Sequence, residues 1–206
     1  MSDLNSSPNE NTNKEQGITS QRLNFILAVC AILISAASFY ATYLQASAAE
    51  KQVKAMTLPL VQYETSNLDE TTNEPAIQFS IVNGGVGPAL IKRLELIYKG
   101  KSYQSISEVI NACCASEYEA FAPKASMDLS QGGYITSAVV NRIIPAQKET
   151  KFYTLYDGEA SHQLWQKLNK ERHHLNVNIC YCSLLEECYI TKANRGVQPV
   201  KSCSTN

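Results

Sequence analysis

The chain has 206 residues and a net charge of −1, from 18 basic and 19 acidic side chains. No run of Lys and Arg could grip a phosphate backbone, so nucleic acid is excluded as a partner. One uncharged apolar stretch leaves room beyond it for one ordinary domain with a real core, and not for two.

Residues 1–21 are rich in Asn, Ser, Glu and Gln, too polar to offset the entropy of ordering, and read as a disordered tail. From Leu23 to Ala49 no side chain is charged. A bilayer core roughly 30 Å thick needs about 20 such residues in a helix. The expected span is about 23–43, with Leu23, Phe25, Ile26, Leu27, Ile32, Leu33, Ile34 and Phe39 facing lipid. Tyr40 and Tyr43 sit at headgroup level. A cleaved signal peptide fits poorly, because its apolar run is shorter and its start basic. An acylation box at Leu27–Cys30 has the bulky Val29 before the cysteine. Up to Met56 the sequence keeps good helix formers, so residues 22–56 form anchor and stem, lifting the C-terminal domain roughly 15 to 20 Å from the membrane. That stem offers a homo-oligomer contact.

From Leu58 the pattern turns to β. The segments LPLVQYET, PAIQFSIVN and ALIKRLELIYKG are strands, and Asn83-Gly84-Gly85-Val86-Gly87-Pro88 is a turn. A phosphate cradle would need a helix directly after the glycines. Lys99-Gly100-Lys101-Ser102 closes a hairpin into Tyr103. Ser105-Ile106-Ser107-Glu108 is a capping box opening a short helix, with Ile106, Val109, Ile110 and Cys113 on its inner face and Cys114 pointing away. Residues 115–131 read as a long loop. Strand character resumes over Tyr134–Ile144 and Thr150–Tyr156, with Pro145 in the turn between. A second helix spans Glu159–Glu171, with Leu164, Trp165 and Leu168 on one face. Leu175–Cys182 alternates as a strand with its cysteines on the more polar side, and a bend centred on Leu185 sets Cys182 opposite Cys188.

One of the seven cysteines, Cys30, lies in the anchor; Cys113, Cys114, Cys180, Cys182, Cys188 and Cys203 come after it. An even number in a modest domain reads as up to three disulfides in an oxidising compartment, and this orients the chain, since Lys14 and Arg22 balance Lys51 and Lys54 across the span. Cys182 pairs with Cys188, Cys203 clips the C-terminal segment to Cys180 or to the helix of Cys113 and Cys114, and those neighbours take different partners or leave one free. The rival is a zinc site in a reducing cytoplasm, built from Cys180, Cys182, Cys188 and His173 or His174, but its spacing is poor. A thiol-redox use of Cys113 and Cys114 is a third reading.

The stem, FSIVNGGVGPALIKRLELIYKGK, NRIIPAQKE and the hairpin ICYCSLLEECYI with a late PVKSC together resemble an uncharacterised group of bacterial single-pass membrane proteins. The resemblance covers most of residues 23–203 and implies an envelope protein with an outward β-sandwich; many relatives carry Trp where this chain has Tyr189. It implies no activity.

No hydrolase elbow, metalloprotease, phosphate-loop or dinucleotide motif is present. His162 falls on an exposed helix face, and Asp69-Glu70 and Glu186-Glu187 read as solvated turn residues. The expectation is therefore a mainly β protein: an N-terminal transmembrane helix and stem, then an Ig-like antiparallel sandwich over 57–206 with about seven or eight strands and two inserted helices. It sits in the inner (cell) membrane, N-terminus cytoplasmic and domain periplasmic or extracellular. It binds another envelope protein, without catalysis, cofactor or resident metal.

Overall fold

The structure, a computed structural model, describes residues 13–125, 129–193 and 195–204. Helix α1 runs Asn13–Met56, and the stretch from Ser20 is long and apolar enough to cross a membrane. The side chains named for the span, Leu23 through Tyr43, are exposed along it, a surface suited to lipid. The helix starts before the expected boundary at residue 22, so part of the expected tail is helical; its first twelve residues lie outside those described. The chain divides into two compact units between Val53 and Lys54.

The second unit is mixed α/β, with two antiparallel sheets. Its strands are β1 (Val61–Asp69), β2 (Glu74–Asn83), β3 (Ala89–Tyr98), β4 (Lys101–Tyr103), β5 (Tyr134–Thr136), β6 (Ile143–Ile144), β7 (Lys148–Tyr156), β8 (Leu175–Cys182), β9 (Cys188–Lys192) and β10 (Gly196–Val200). Helices α2 (Ile106–Phe121) and α3 (His162–Glu171) are inserted between them. One sheet has the order β1-β2-β7-β5. The other runs β10-β9-β8-β3-β4, with β6 also paired to β3. Phe79, Ile81 and Leu155 from the first sheet and Ile91, Leu96, Ile179 and Tyr181 from the second share one buried core.

Local chemistry explains the connections. Lys99 and Gly100 both take positive φ, which lets two residues close the β3–β4 hairpin with the twist of its strands. Asn83 is fully buried: its Nδ2 donates to the carbonyls of Gly87, Ile144 and Pro145, while its Oδ1 accepts from the amides of Leu60 and Gly85. A Cβ at Gly85 or Gly87 would strike the backbone of Thr57–Leu60, so these glycines serve close backbone packing.

Four expectations need correction. The segment after Cys113 is no loop: α2 continues to Phe121, followed by 3-10 turns at Ala122–Lys124 and Leu129–Gln131, because Ala115–Phe121 contains no breaker and buries Phe121. Cys114 sits at a kink with φ −146° and ψ 35°, so helical periodicity fails there; Cys114 is buried and Cys113 half-buried, the reverse of the expected facing. The expected strand 134–144 is two short strands, β5 in the first sheet and β6 in the second, with the buried Val139 between them. The short terminal strand β10 has no counterpart among the expected elements.

Candidate functional site

The features with chemical potential gather at one end of β8 and β9. The register pairs Cys182 with Cys188, and the turn between is tied by Ser183, whose Oγ accepts from the amides of Leu185 and Glu187. Glu186 takes a positive φ to complete it. The structure joins Cys182 to Cys188 and Cys180 to Cys203. Between the two disulfides, the sulfurs of Cys182 and Cys203 are 3.9 Å apart.

Cys180 and Cys182, expected on a polar face, are both buried. Alternation is correct as far as Asn178, but beyond it the segment carrying Cys203 is bonded over the strand and removes that face from water. The sulfurs of Cys182, Cys188 and Cys203 all lie within 4.8 Å of one another. The histidines expected beside them are elsewhere: His173 and His174 precede Leu175, which pairs with Tyr98 at the opposite end of β8 from Cys182. His162 is exposed and bonded to Asp157 at 2.9 Å.

Cys188 opens onto a groove of about 520 Å³ lined by Leu58, Glu187, Tyr189, Pro199 and Val200 among others. Its lining combines apolar side chains with the charged Lys54, Glu186, Glu187 and Lys201. The Glu187 carboxylate meets Lys54 at 3.0 Å and accepts from the Tyr189 hydroxyl at 3.2 Å. The Lys54 ammonium, and then the Tyr189 hydroxyl, hold that carboxyl below its ordinary range in spite of some burial, so Glu187 is not a freely solvated turn residue. Tyr189 stacks on Tyr181 with ring centroids 5.9 Å apart. Behind the groove, the Tyr181 hydroxyl accepts from the Val61 amide and Thr191 Oγ1 donates to the Val61 carbonyl at 2.6 Å. Both groups reach from the second sheet to the first strand of the other, fixing the backbone beneath the cysteines. Burial pushes the Tyr181 hydroxyl pKa up, so it stays protonated.

No family model, curated protein or solved structure matches the chain.

Two further places stand out from the sequence. Cys113 and Cys114 are bonded to each other, so the expectation of separate partners is overturned by the kink that brings adjacent sulfurs together. Asp69 is buried, not a solvated turn residue. Burial raises its pKa, but the Thr71 amide, the Lys151 ammonium and the Tyr156 hydroxyl outweigh that and hold it low. Near it a polar cleft of about 210 Å³ includes Glu64, Glu149 and Gln78, whose Nε2 is buried without a hydrogen-bond partner. Cys203 as the fourth member of the sulfur group was legible only as one of two options, and Thr191 and Tyr181 gave no signal beyond their strands.

Proposed function

We propose that this is a single-pass protein of the inner (cell) membrane whose second unit, an Ig-like β-sandwich outside the cytoplasm, binds another envelope macromolecule through the groove at Cys188. The observation carrying this reading is that all six cysteines beyond the apolar helix are joined in pairs within one fold. Such bonds persist in oxidising compartments and are rare in reducing ones. With α1 spanning the bilayer, an oxidised domain requires the N-terminus on the cytoplasmic side. The groove supports binding because apolar and charged side chains beside stacked tyrosines are the composition of recognition surfaces.

Alkylation of intact membranes, with and without prior reduction, tests it by mass. The expected result is that none of the six cysteines beyond the apolar helix takes label before reduction and all six take it afterwards. Six thiols reactive from the outset would reverse the topology.

A second reading draws on the same corner: a cytoplasm-facing zinc sensor, with the domain reduced. It is favoured by the closeness of the Cys182, Cys188 and Cys203 sulfurs, with Cys180 bonded to Cys203 as a fourth thiol, in place of the histidine expected from sequence. Thiols that react readily but are protected by added zinc would establish it.

A further inference from the structure

We infer that the two disulfides at the end of β8 exchange with each other, so that the groove oxidises a thiol substrate and the reducing equivalents pass inward from Cys188 to Cys180. This exchange adds chemistry to the binding role and rests on that reading only in requiring oxidised cysteines.

Access decides which sulfur is attacked. A thiolate attacks whichever sulfur of a disulfide it can reach, and expels the other as the leaving thiolate. Cys182 is 6 % exposed, whereas Cys188 forms part of the groove wall, so an incoming thiolate meets Cys188. Attack there makes a bond between the substrate sulfur and Cys188, breaks the Cys182–Cys188 bond, and leaves the electron pair on Cys182.

Cys182 is then a buried thiolate 3.9 Å from the Cys203 sulfur, which is bonded to Cys180. Cys180 is buried as deeply as Cys182, so the exchange is set by the closeness of the attacking and target sulfurs and not by relief of burial. The Cys182 sulfur bonds to Cys203, the Cys180–Cys203 bond breaks, and Cys180 carries the electron pair. A second substrate thiolate attacks the mixed disulfide at its substrate sulfur and frees Cys188. The balance is two substrate thiolates oxidised to one disulfide, with the protein passing from two disulfides to a single Cys182–Cys203 bond and thiolates at Cys180 and Cys188. No other oxidant is needed for that turnover.

Position explains why these cysteines can change partners. Cys180 and Cys182 are alternate residues of one strand, Cys188 is opposite Cys182, and Cys203 is bonded above them. Cys203 is therefore within reach of both strand cysteines. The Val61 hydrogen bonds to Tyr181 and Thr191 keep the backbone in place while the sulfurs exchange.

The test uses the full chain in detergent, treated with limiting thiol, quenched with acid, alkylated, and mapped by peptide mass without reduction. Reduced glutathione and an unfolded polypeptide carrying two cysteines serve as separate thiols, distinguishing a small-molecule source from a protein one. The expected result is label on Cys180 and Cys188 together with a matching amount of linked Cys182–Cys203 peptide, from at least one thiol. Label on Cys182 and Cys188 with Cys180–Cys203 intact, label on Cys180 and Cys203 with Cys182–Cys188 intact, or no reaction with either thiol would overturn the inference. The variant Cys188→Ser gives a second reading with no added reductant: exchange moves the free thiol from Cys182 to Cys180, and label confined to Cys182 counts against it. Failure of the extracytoplasmic reading is seen separately, as free thiols at all four positions before any reductant is added.

Discussion

At one end of β8, Leu175 pairs with Tyr98, and what holds the neighbourhood is reversible. The Tyr98 hydroxyl donates to Glu171 at 2.6 Å and Lys99 meets the same carboxylate oxygen at 2.8 Å, tying the β3–β4 hairpin to the end of α3. At the other end, Cys182 pairs with Leu90, and the neighbourhood is fixed by covalent bonds, by the Val61 clamp and by Asn83. The two ends therefore answer to different conditions: protons act on the first and reductants on the second. The groove belongs with the second, where disulfides and buried hydrogen bonds set the backbone.

This contrast breaks most severely at Asn83. Replacing it by Ala removes five hydrogen bonds and leaves buried carbonyls and amides unpaired, a loss of about 4 kcal/mol. Urea unfolding of the full chain in detergent, followed by the fluorescence of Trp165, reads this as a large fall in midpoint; an unchanged midpoint would mean that the glycine turn does not anchor β1. Next comes the Cys180→Ala/Cys203→Ala double variant. Opening a loop with sequence separation 23 costs about 3 kcal/mol, an effect that vanishes when the measurement is repeated in excess reductant. Tyr181→Phe is smaller, about 1 kcal/mol, because one hydrogen bond to Val61 is lost while the stacked ring remains. If it matched the double cysteine variant, the clamp and not the disulfide would be the main restraint at this end.

How far these ends could be read from sequence depends on what each residue signals locally. The strands β1, β2, β3, β7 and β8 were legible because period-two or continuous apolar patterning survives in LVQYE, AIQFSIV, ALIKRLELIY, KFYTLY and LNVNICY. The Cys182–Cys188 opposition followed from the bend at Leu185 alone. By contrast, Cys114 has no mark of the kink that turns it inward, and β10, with Pro199 in it, is too short and too polar to stand out as an edge strand. Asp69 looks like any turn acid, since its burial depends on Tyr156 and Lys151 arriving from distant β7. Asn83 was readable as a turn residue and not as the hub of five bonds, because all five partners are backbone groups whose positions only the fold defines.

The weakest effect belongs to the reversible end, and its sign can be worked out in advance. The Lys99 ammonium, and after it the Tyr98 hydroxyl, hold the Glu171 carboxyl below its ordinary value of 4.5, although burial opposes them. A carboxylate with a lowered pKa in the fold adds stability that is complete above the unfolded value and fades as pH falls through the folded one. Glu171→Gln should cost on the order of 1 kcal/mol or less at neutral pH, because Lys99 is solvent-screened and the amide oxygen still accepts from Tyr98. The midpoint difference between wild type and variant should shrink as pH is lowered below 4.5, even while both proteins weaken through the similarly lowered Asp69. A difference that stayed constant down to about pH 3 would assign the cost of the substitution to packing and remove proton sensitivity from this end of β8.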